Sequence, residues 1–263
     1  MIHPHFPAPS AVDPPARAVI AIASGKGGVW KSTIALNLAV ALAERGAAVG
    51  LLDADFYGPD LPVMANLTRT RPARTWPLWE ARGIRLEPVE RFGVKLMSAG
   101  FLLGEKQVFP GAAPTLPWVV RQLLADVDWG DLDYLLVDFP PGTGDLQRDA
   151  LAATVFRGAI VVVTPQDVAH LDAKKLVAML GDAGVPVLGG IENMRGLHCP
   201  HCGEAVEVFP AAPESRTIWG DGIPLLGTLP LEPAIAEAAE RGSPTAVDAF
   251  RPIADRVAAE IAL

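Results

Sequence analysis

The chain has 263 residues, half of them hydrophobic, and a formal net charge of −8. That length and apolar content suit one large α/β domain or two small ones, and a single domain is the expectation. The charge argues against nucleic acid as a partner, no run of about 18 apolar residues offers a membrane span, and two cysteines make no disulfide scaffold; the expected location is cytoplasmic. Residues 1–17 are rich in Pro and Ala, carry His3 and His5, and lack the basic-then-apolar layout of a signal peptide. They are expected to form a flexible tail, with the folded domain spanning 18–263. Strands are expected over 18–24, 48–53, 94–99, 134–138, 159–164, 185–192 and 224–229. Helices are expected over 32–45, 118–126, 145–155, 169–183, 232–241 and 246–262. Apolar strands alternating with amphipathic helices imply a mostly parallel twisted sheet with helices on both faces. Such sheets bind ligands at the carboxyl ends of their strands. The least regular stretches are 59–93, heavy in Pro and Arg, and 198–219. The run from Arg69 to Lys95 carries Arg69, Arg71, Arg74, Arg82, Arg85, Arg91 and Lys95 against Glu80, Glu87 and Glu90, and reads as a solvated loop or a partner-facing surface.

The segment Ser24-Gly25-Lys26-Gly27-Gly28-Val29-Trp30-Lys31-Ser32-Thr33 sits between the first strand and the first helix. It follows the phosphate-loop pattern G-x-x-x-x-G-K-[ST] with one exception. Trp30 stands where the glycine before the lysine belongs. The loop wraps phosphates with backbone N–H groups, and the next helix adds its positive end. Close approach and unusual dihedrals both favour a residue without Cβ, so an indole at position 30 must find other space or compete with the phosphates. Gly25, Gly27 and Gly28 keep most of the loop, Lys31 would reach the β- and γ-phosphates, and the Ser32 hydroxyl would face Mg²⁺.

Two further strand ends carry carboxylates. The second strand closes on Asp53-Ala54-Asp55, and alternate residues of an extended strand point to the same side. Beside a phosphate loop the pair would serve Mg²⁺ or orient a water. The strand at 134–138 ends in Asp138, followed by Pro-Pro-Gly-Thr-Gly at 140–144, a Walker B pattern.

Both cysteines lie in Cys199-Pro200-His201-Cys202. The spacing lets both thiolates bind one metal centre. Two thiolates leave a four-ligand site half filled. Either a second chain supplies two more around a [4Fe–4S] cluster, or His198 or His201 completes a zinc site, or the pair is a redox dithiol. Residue types alone do not separate the first two.

Taken together these residues resemble the Mrp/ApbC group of iron–sulfur carrier P-loop ATPases, relatives of MinD, ParA and the nitrogenase iron protein. The resemblance runs through Ser-Gly-Lys-Gly-Gly-Val at 24–29, Leu-Asp-Ala-Asp-Phe-Tyr-Gly-Pro at 52–59, and Asp-Phe-Pro-Pro-Gly-Thr-Gly-Asp at 138–145. It continues through Glu-Asn-Met at 192–194, Cys-Pro-His-Cys-Gly-Glu at 199–204, and Leu-Gly-Thr-Leu-Pro-Leu-Glu-Pro-Ala-Ile at 226–235. It implies a P-loop NTPase fold and an ATP-dependent carrier that passes a [4Fe–4S] cluster to apo-proteins. It also implies these roles. Gly25, Lys26, Gly27, Gly28, Val29, Lys31, Ser32 and Thr33 hold ATP, with Ser32 also on Mg²⁺ and Lys26 reaching the partner's phosphates across a homodimer. Asp53 and Asp55 serve the metal and the attacking water, Asp138 is the Walker B acid, and Asn193 contacts adenine. Cys199 and Cys202 of each subunit bridge the cluster, which favours iron–sulfur over zinc.

The chain departs from the family pattern at Trp30, and at Phe109-Pro110-Gly111-Ala112-Ala113, where an Arg is missing. A non-hydrolysing paralogue, binding cluster or zinc beside an impaired nucleotide site, is the alternative. A positioning ATPase of MinD or ParA type is disfavoured, because 250–263 holds only Arg251 and Arg256 as basic residues and lacks the basic amphipathic helix that membrane targeting needs.

Overall fold

The computed structural model describes residues 11–67, 86–101, 116–199, 201–243 and 247–261. The strands are β1 (Ala18–Ser24), β2 (Val49–Asp53), β3 (Val89–Arg91), β4 (Val94–Ser98), β5 (Tyr134–Asp138), β6 (Gly158–Val163), β7 (Val187–Glu192), β8 (Leu197–His198), β9 (Ala205–Val206) and β10 (Leu225–Thr228). The helices are α1 (Lys31–Glu44), α2 (Leu61–Met64), α3 (Leu116–Ala125), α4 (Asp145–Leu151), α5 (Asp167–Asp182), α6 (Pro233–Glu240) and α7 (Val247–Ile261). Eight strands form one sheet in the order β10-β7-β6-β1-β5-β2-β4-β3. Every pair is parallel except β3 with β4, which is antiparallel.

Every residue of β1, β2, β5 and β6 is buried. Since neighbouring side chains point to opposite faces, both faces must be covered, and the expected α/β class holds. Helix α1 shows why sequence periodicity underestimates burial. Ile34, Leu38 and Leu42 define one apolar face, yet eleven of its residues are buried, because α7 packs along its other side. Among the described residues no helix is long and apolar enough to cross a membrane.

The expected elements all form, with ends shifted by a few residues. The largest shift is α4, which stops at Leu151 rather than at 155. Three short elements went unforeseen: β3, α2 and the antiparallel hairpin β8–β9. Each is too short to show a period. The expected flexible tail needs correction over 11–17. Val12 donates its N–H to the Ala153 carbonyl at 2.9 Å, its own carbonyl accepts from the Thr154 hydroxyl at 2.9 Å, and Arg17 N–H reaches the Leu132 carbonyl. Backbone pairing with the α4–β6 connection holds this segment, a contact that composition does not reveal. Residues 1–10, the stretch 68–85 of the basic excursion, and the departure at 109–113 lie outside the described residues.

The carboxyl ends of the central strands form one rim. Register places Asp53 of β2 beside Asp138 of β5 and Ser98 of β4, and Glu192 of β7 beside Val163 of β6. Ser24, Asp53, Ser98, Asp138 and Glu192 are all buried there, a run of polar groups that an apolar sheet tolerates only where they are paired or used.

Candidate nucleotide and thiolate sites

The loop between β1 and α1 is bound tightly on all sides. Ser24 Oγ donates to the Lys26 carbonyl at 2.9 Å. A Cβ on Gly25 would lie 2.5 Å from the backbone carbon of Asp172, so α5 presses on the loop where only glycine fits. Gly28 takes φ +78°. Val29 is buried, and its carbonyl accepts from Asn193 Nδ2 at 2.9 Å. Asn193, expected to contact adenine, is itself buried and clamps the phosphate loop.

Trp30 answers the question its sequence position poses. It caps α1 with φ 62° and ψ 34°, the left-handed region, which costs a non-glycine residue about 1–2 kcal/mol. Its carbonyl accepts the Ile34 N–H at 3.0 Å and starts the helix. The side chain is partly buried in the wall of a cavity of about 270 Å³, shared with Gly28, Lys31, Asp55, Met64 and Glu240. The loop therefore closes with its glycine-type geometry intact, carried by an indole. Comparing Trp30→Ala with Trp30→Gly isolates the backbone term, since both lose the indole. The glycine variant should be the more stable by about 1 kcal/mol in denaturant unfolding. It should also bind Mg-ATP roughly tenfold more tightly than the native chain in calorimetry. Equal affinity in native and glycine proteins would sink the steric argument.

Behind the loop, Lys31 forms a buried ion pair with Asp138 and lies 3.4 Å from Ser32 Oγ. Asp53 accepts from Ser98 Oγ at 2.8 Å and from the Asp55 N–H at 3.1 Å. Burial, and then the charge of Asp138, push the Asp53 carboxyl up to about 8. Burial also pushes Asp138 up, with the Lys31 ammonium opposing it. Asp138, in contact with the ammonium, is the better seat for the negative charge of this pair. Asp55 lines the cavity and accepts the Tyr57 and Gly58 N–H groups, each at 3.2 Å. The arrangement fits a magnesium nucleotide. Backbone N–H groups, Lys31 and the start of α1 meet an anion, while Ser32, Asp53, Asp55 and Asp138 offer hard oxygen donors to a divalent cation.

The thiols sit on the β8–β9 hairpin. Cys199 N–H bonds the Glu204 carbonyl and Gly203 N–H bonds the Cys199 carbonyl, both at 2.8 Å. Both cysteines are free; Cys202 is exposed and Cys199 partly so. The backbone N–H groups of Cys202 and His201 hold the Cys199 thiol below its usual value, favouring the thiolate that binds metal. Among the described residues no three His, Cys, Asp or Glu side chains cluster as metal ligands.

Residues 16–262 match the family described as ParA: NUBPL iron-transfer P-loop NTPase. The chain belongs to this family. It is 42% identical over 230 residues to the "Iron-sulfur protein required for NADH dehydrogenase, mitochondrial" of Arabidopsis thaliana, covering 87% of this chain and 71% of that protein. It is 42% identical over 238 residues to the "Iron-sulfur cluster carrier protein" of Pseudomonas fragi, covering 90% and 81%. A nucleotide-binding protein from Archaeoglobus fulgidus, solved in complex with ADP, superposes with a TM-score of 0.71 at 35% identity, covering 87% of each chain. MinD of Pyrococcus furiosus superposes at 0.68 with 25% identity, covering 91% and 98%.

Within this family chain, the fold gathers Lys31, Ser32, Thr33, Asp53, Asp55, Asp138 and the loop glycines around one rim. It places Cys199 and Cys202 apart from them, on the hairpin that follows Asn193. Lys26 lies partly buried in the loop itself. Sequence reasoning missed Ser98, although its place at the end of an apolar strand matches that of Asp53. It also missed Glu240, which reaches the cavity from a helix far along the chain.

Proposed function

We propose that this chain carries a [4Fe–4S] cluster between two copies of itself, hands it to apo-proteins, and does so under control of Mg-ATP. The observation that carries the reading is the hairpin. It presents two thiols at ligand spacing with Cys199 biased toward thiolate, and among the described residues no further ligand joins them. A second copy supplies the missing pair. Exposed apolar side chains on α5 and on the hairpin offer surface that a partner would cover. Val168 and Leu171 of α5 are 63% and 56% exposed, and Val206 and Val208 beside the hairpin 47% and 37%. The hairpin's return segment is tied to the start of α5 through Ala212 N–H and the Pro165 carbonyl at 2.8 Å. The names of the plant and bacterial relatives, both at 42% identity, support iron–sulfur cargo, and the ADP complex of the archaeal one supports the nucleotide.

In this reading Lys31 and the loop N–H groups bind and orient the phosphates, and Ser32 and the aspartates hold the magnesium ion. Mg-ATP supplies an anhydride bond and a compact charge that the loop senses. Trp30 in the cavity wall favours a second reading, a carrier that binds nucleotide without turning it over.

The test is anaerobic reconstitution with iron and sulfide. About four irons per two chains, a cluster-dependent dimer in sedimentation, and activation of an apo-enzyme that needs such a cluster are expected. Iron at background level, or preferential loading with zinc, would overturn the reading.

A further inference from the structure

The segment that joins the two sites contains a buried carboxylate, Glu192, flanked by a buried histidine and a half-exposed arginine, none of which has a part in either site. Glu192 ends β7, is 3% exposed, and directly precedes Asn193, the residue that clamps the phosphate loop at Val29. Its Oε2 accepts from Arg195 at 2.8 Å. Its Oε1 lies 3.6 Å from Nε2 of His170, which is wholly buried. Burial raises the Glu192 carboxyl, but His170 and Arg195 outweigh it and hold Glu192 below its usual value.

His170 is fixed from its other side. Its Nδ1 accepts the Ile218 N–H at 3.3 Å, and Trp219 packs edge-on against its ring at 5.6 Å. An accepting Nδ1 puts the proton on Nε2. That N–H points at Glu192 from beyond hydrogen-bond length, and no hydrogen-bond partner reaches it among the described residues. A buried donor left open is unfavourable. A movement of under about 1 Å would close the bond.

Both sides of the contact are linked to the phosphate loop through a neighbouring residue. Glu192 reaches it through Asn193. His170 belongs to α5, which packs on Gly25 at Asp172. Beyond Glu192 the chain turns sharply. Met194 takes φ 61°, strain of the kind that persists at switching segments. Arg195 N–H then bonds the Leu229 carbonyl and Leu231 N–H bonds the Gly196 carbonyl, at 2.9 and 2.8 Å. The hairpin strand β8 begins at the next residue, two positions before Cys199.

We infer that Glu192, held between His170 and Arg195, is a positioning residue that transmits nucleotide occupancy of the phosphate loop to the Cys199–Cys202 hairpin. Occupancy shifts the loop against Asn193 and α5, the His170–Glu192 gap closes or opens, and Arg195 carries the shift into the turn that sets the hairpin. The inference rests on the reading of the two sites given above.

The experiment follows alkylation of Cys199 by iodoacetamide in the full apo chain, by site-resolved mass spectrometry, with and without Mg-ATP. In the native chain the nucleotide should change the Cys199 rate by about tenfold, the usual size of coupling between sites. Glu192→Gln should cut that ratio below about twofold, with nucleotide affinity and thermal midpoint near native. A merely structural role would move the midpoint and spare the ratio. Arg195→Met, at a side chain 48% exposed, leaves the fold standing if the buried substitution does not, and should reduce the ratio in the same direction. A native ratio near one, or a native-like ratio in both variants, would overturn the inference. Failure of the chain to load iron while the ratio persists would count against the carrier reading and leave the coupling in place.

Discussion

Asp53→Asn should stabilise the nucleotide-free protein at pH 8 by on the order of 3 kcal/mol, while weakening Mg-ATP binding. Asp53 is 1% exposed and sits beside Asp138. Burial and that neighbour raise its carboxyl from 3.8 to about 8, so the folded state holds the proton more tightly than the unfolded chain. The stability this contributes is fully present below about pH 4 and is lost as pH rises through about 8. One unit corresponds to about 1.4 kcal/mol, which sets an upper bound near 5–6 kcal/mol; local relaxation lowers the net effect to about half of that. The amide cannot ionise, still offers an acceptor to the Asp55 N–H, and still faces the Ser98 hydroxyl. Denaturant unfolding of both proteins across pH 4 to 8 checks this. The gap should open with pH and be absent near pH 4. A variant less stable than the native chain at pH 8, or a constant gap, would refute it. In the proposed function a divalent cation would use this carboxylate, the usual trade between stability and a functional site.

Removing either thiol should reduce reconstituted iron to below about a tenth of the native level. In the proposed function each chain brings two thiolates, so Cys199→Ala or Cys202→Ala would take a shared cluster from four ligands to two, too few for a stable site. The fold should not respond. Cys202 is exposed and the hairpin lies outside the main sheet, so unfolding free energy should change by under about 0.5 kcal/mol. Iron content and the cluster-dependent dimer should therefore fall while the far-ultraviolet spectrum stays unchanged. Native iron in both variants would show that these thiols are not the ligands.

Much of the molecule was legible beforehand because its signals are local. Runs such as Ala18–Ser24 and Tyr134–Asp138 are apolar over their whole length, which marks strands covered on both faces. A glycine-rich turn between such a strand and a helix has few other uses, and two cysteines with two residues between them mark a metal or redox site. What stayed hidden depends on residues far apart in sequence. Ser98 meets Asp53 only because β4 lies beside β2. His170 meets Glu192 only because α5 crosses behind β7. Segment 11–17 read as tail because its backbone partners, Leu132 and Ala153, are more than a hundred residues away.

Trp30 marks the boundary between the two kinds of knowledge. The sequence by itself determined that a bulky residue occupies a glycine position, that the strands end in carboxylates, and that two thiols stand together, because residue type and spacing are written along the chain. Only the tertiary structure decided that Trp30 accepts the left-handed conformation and lines the cavity together with Met64 and Glu240, residues distant from it in sequence. It likewise decided how charge is shared between the rim aspartates Asp53 and Asp138, both of which burial pushes toward the protonated form. Burial and the distance to Lys31 set that balance, and neither exists until the sheet closes.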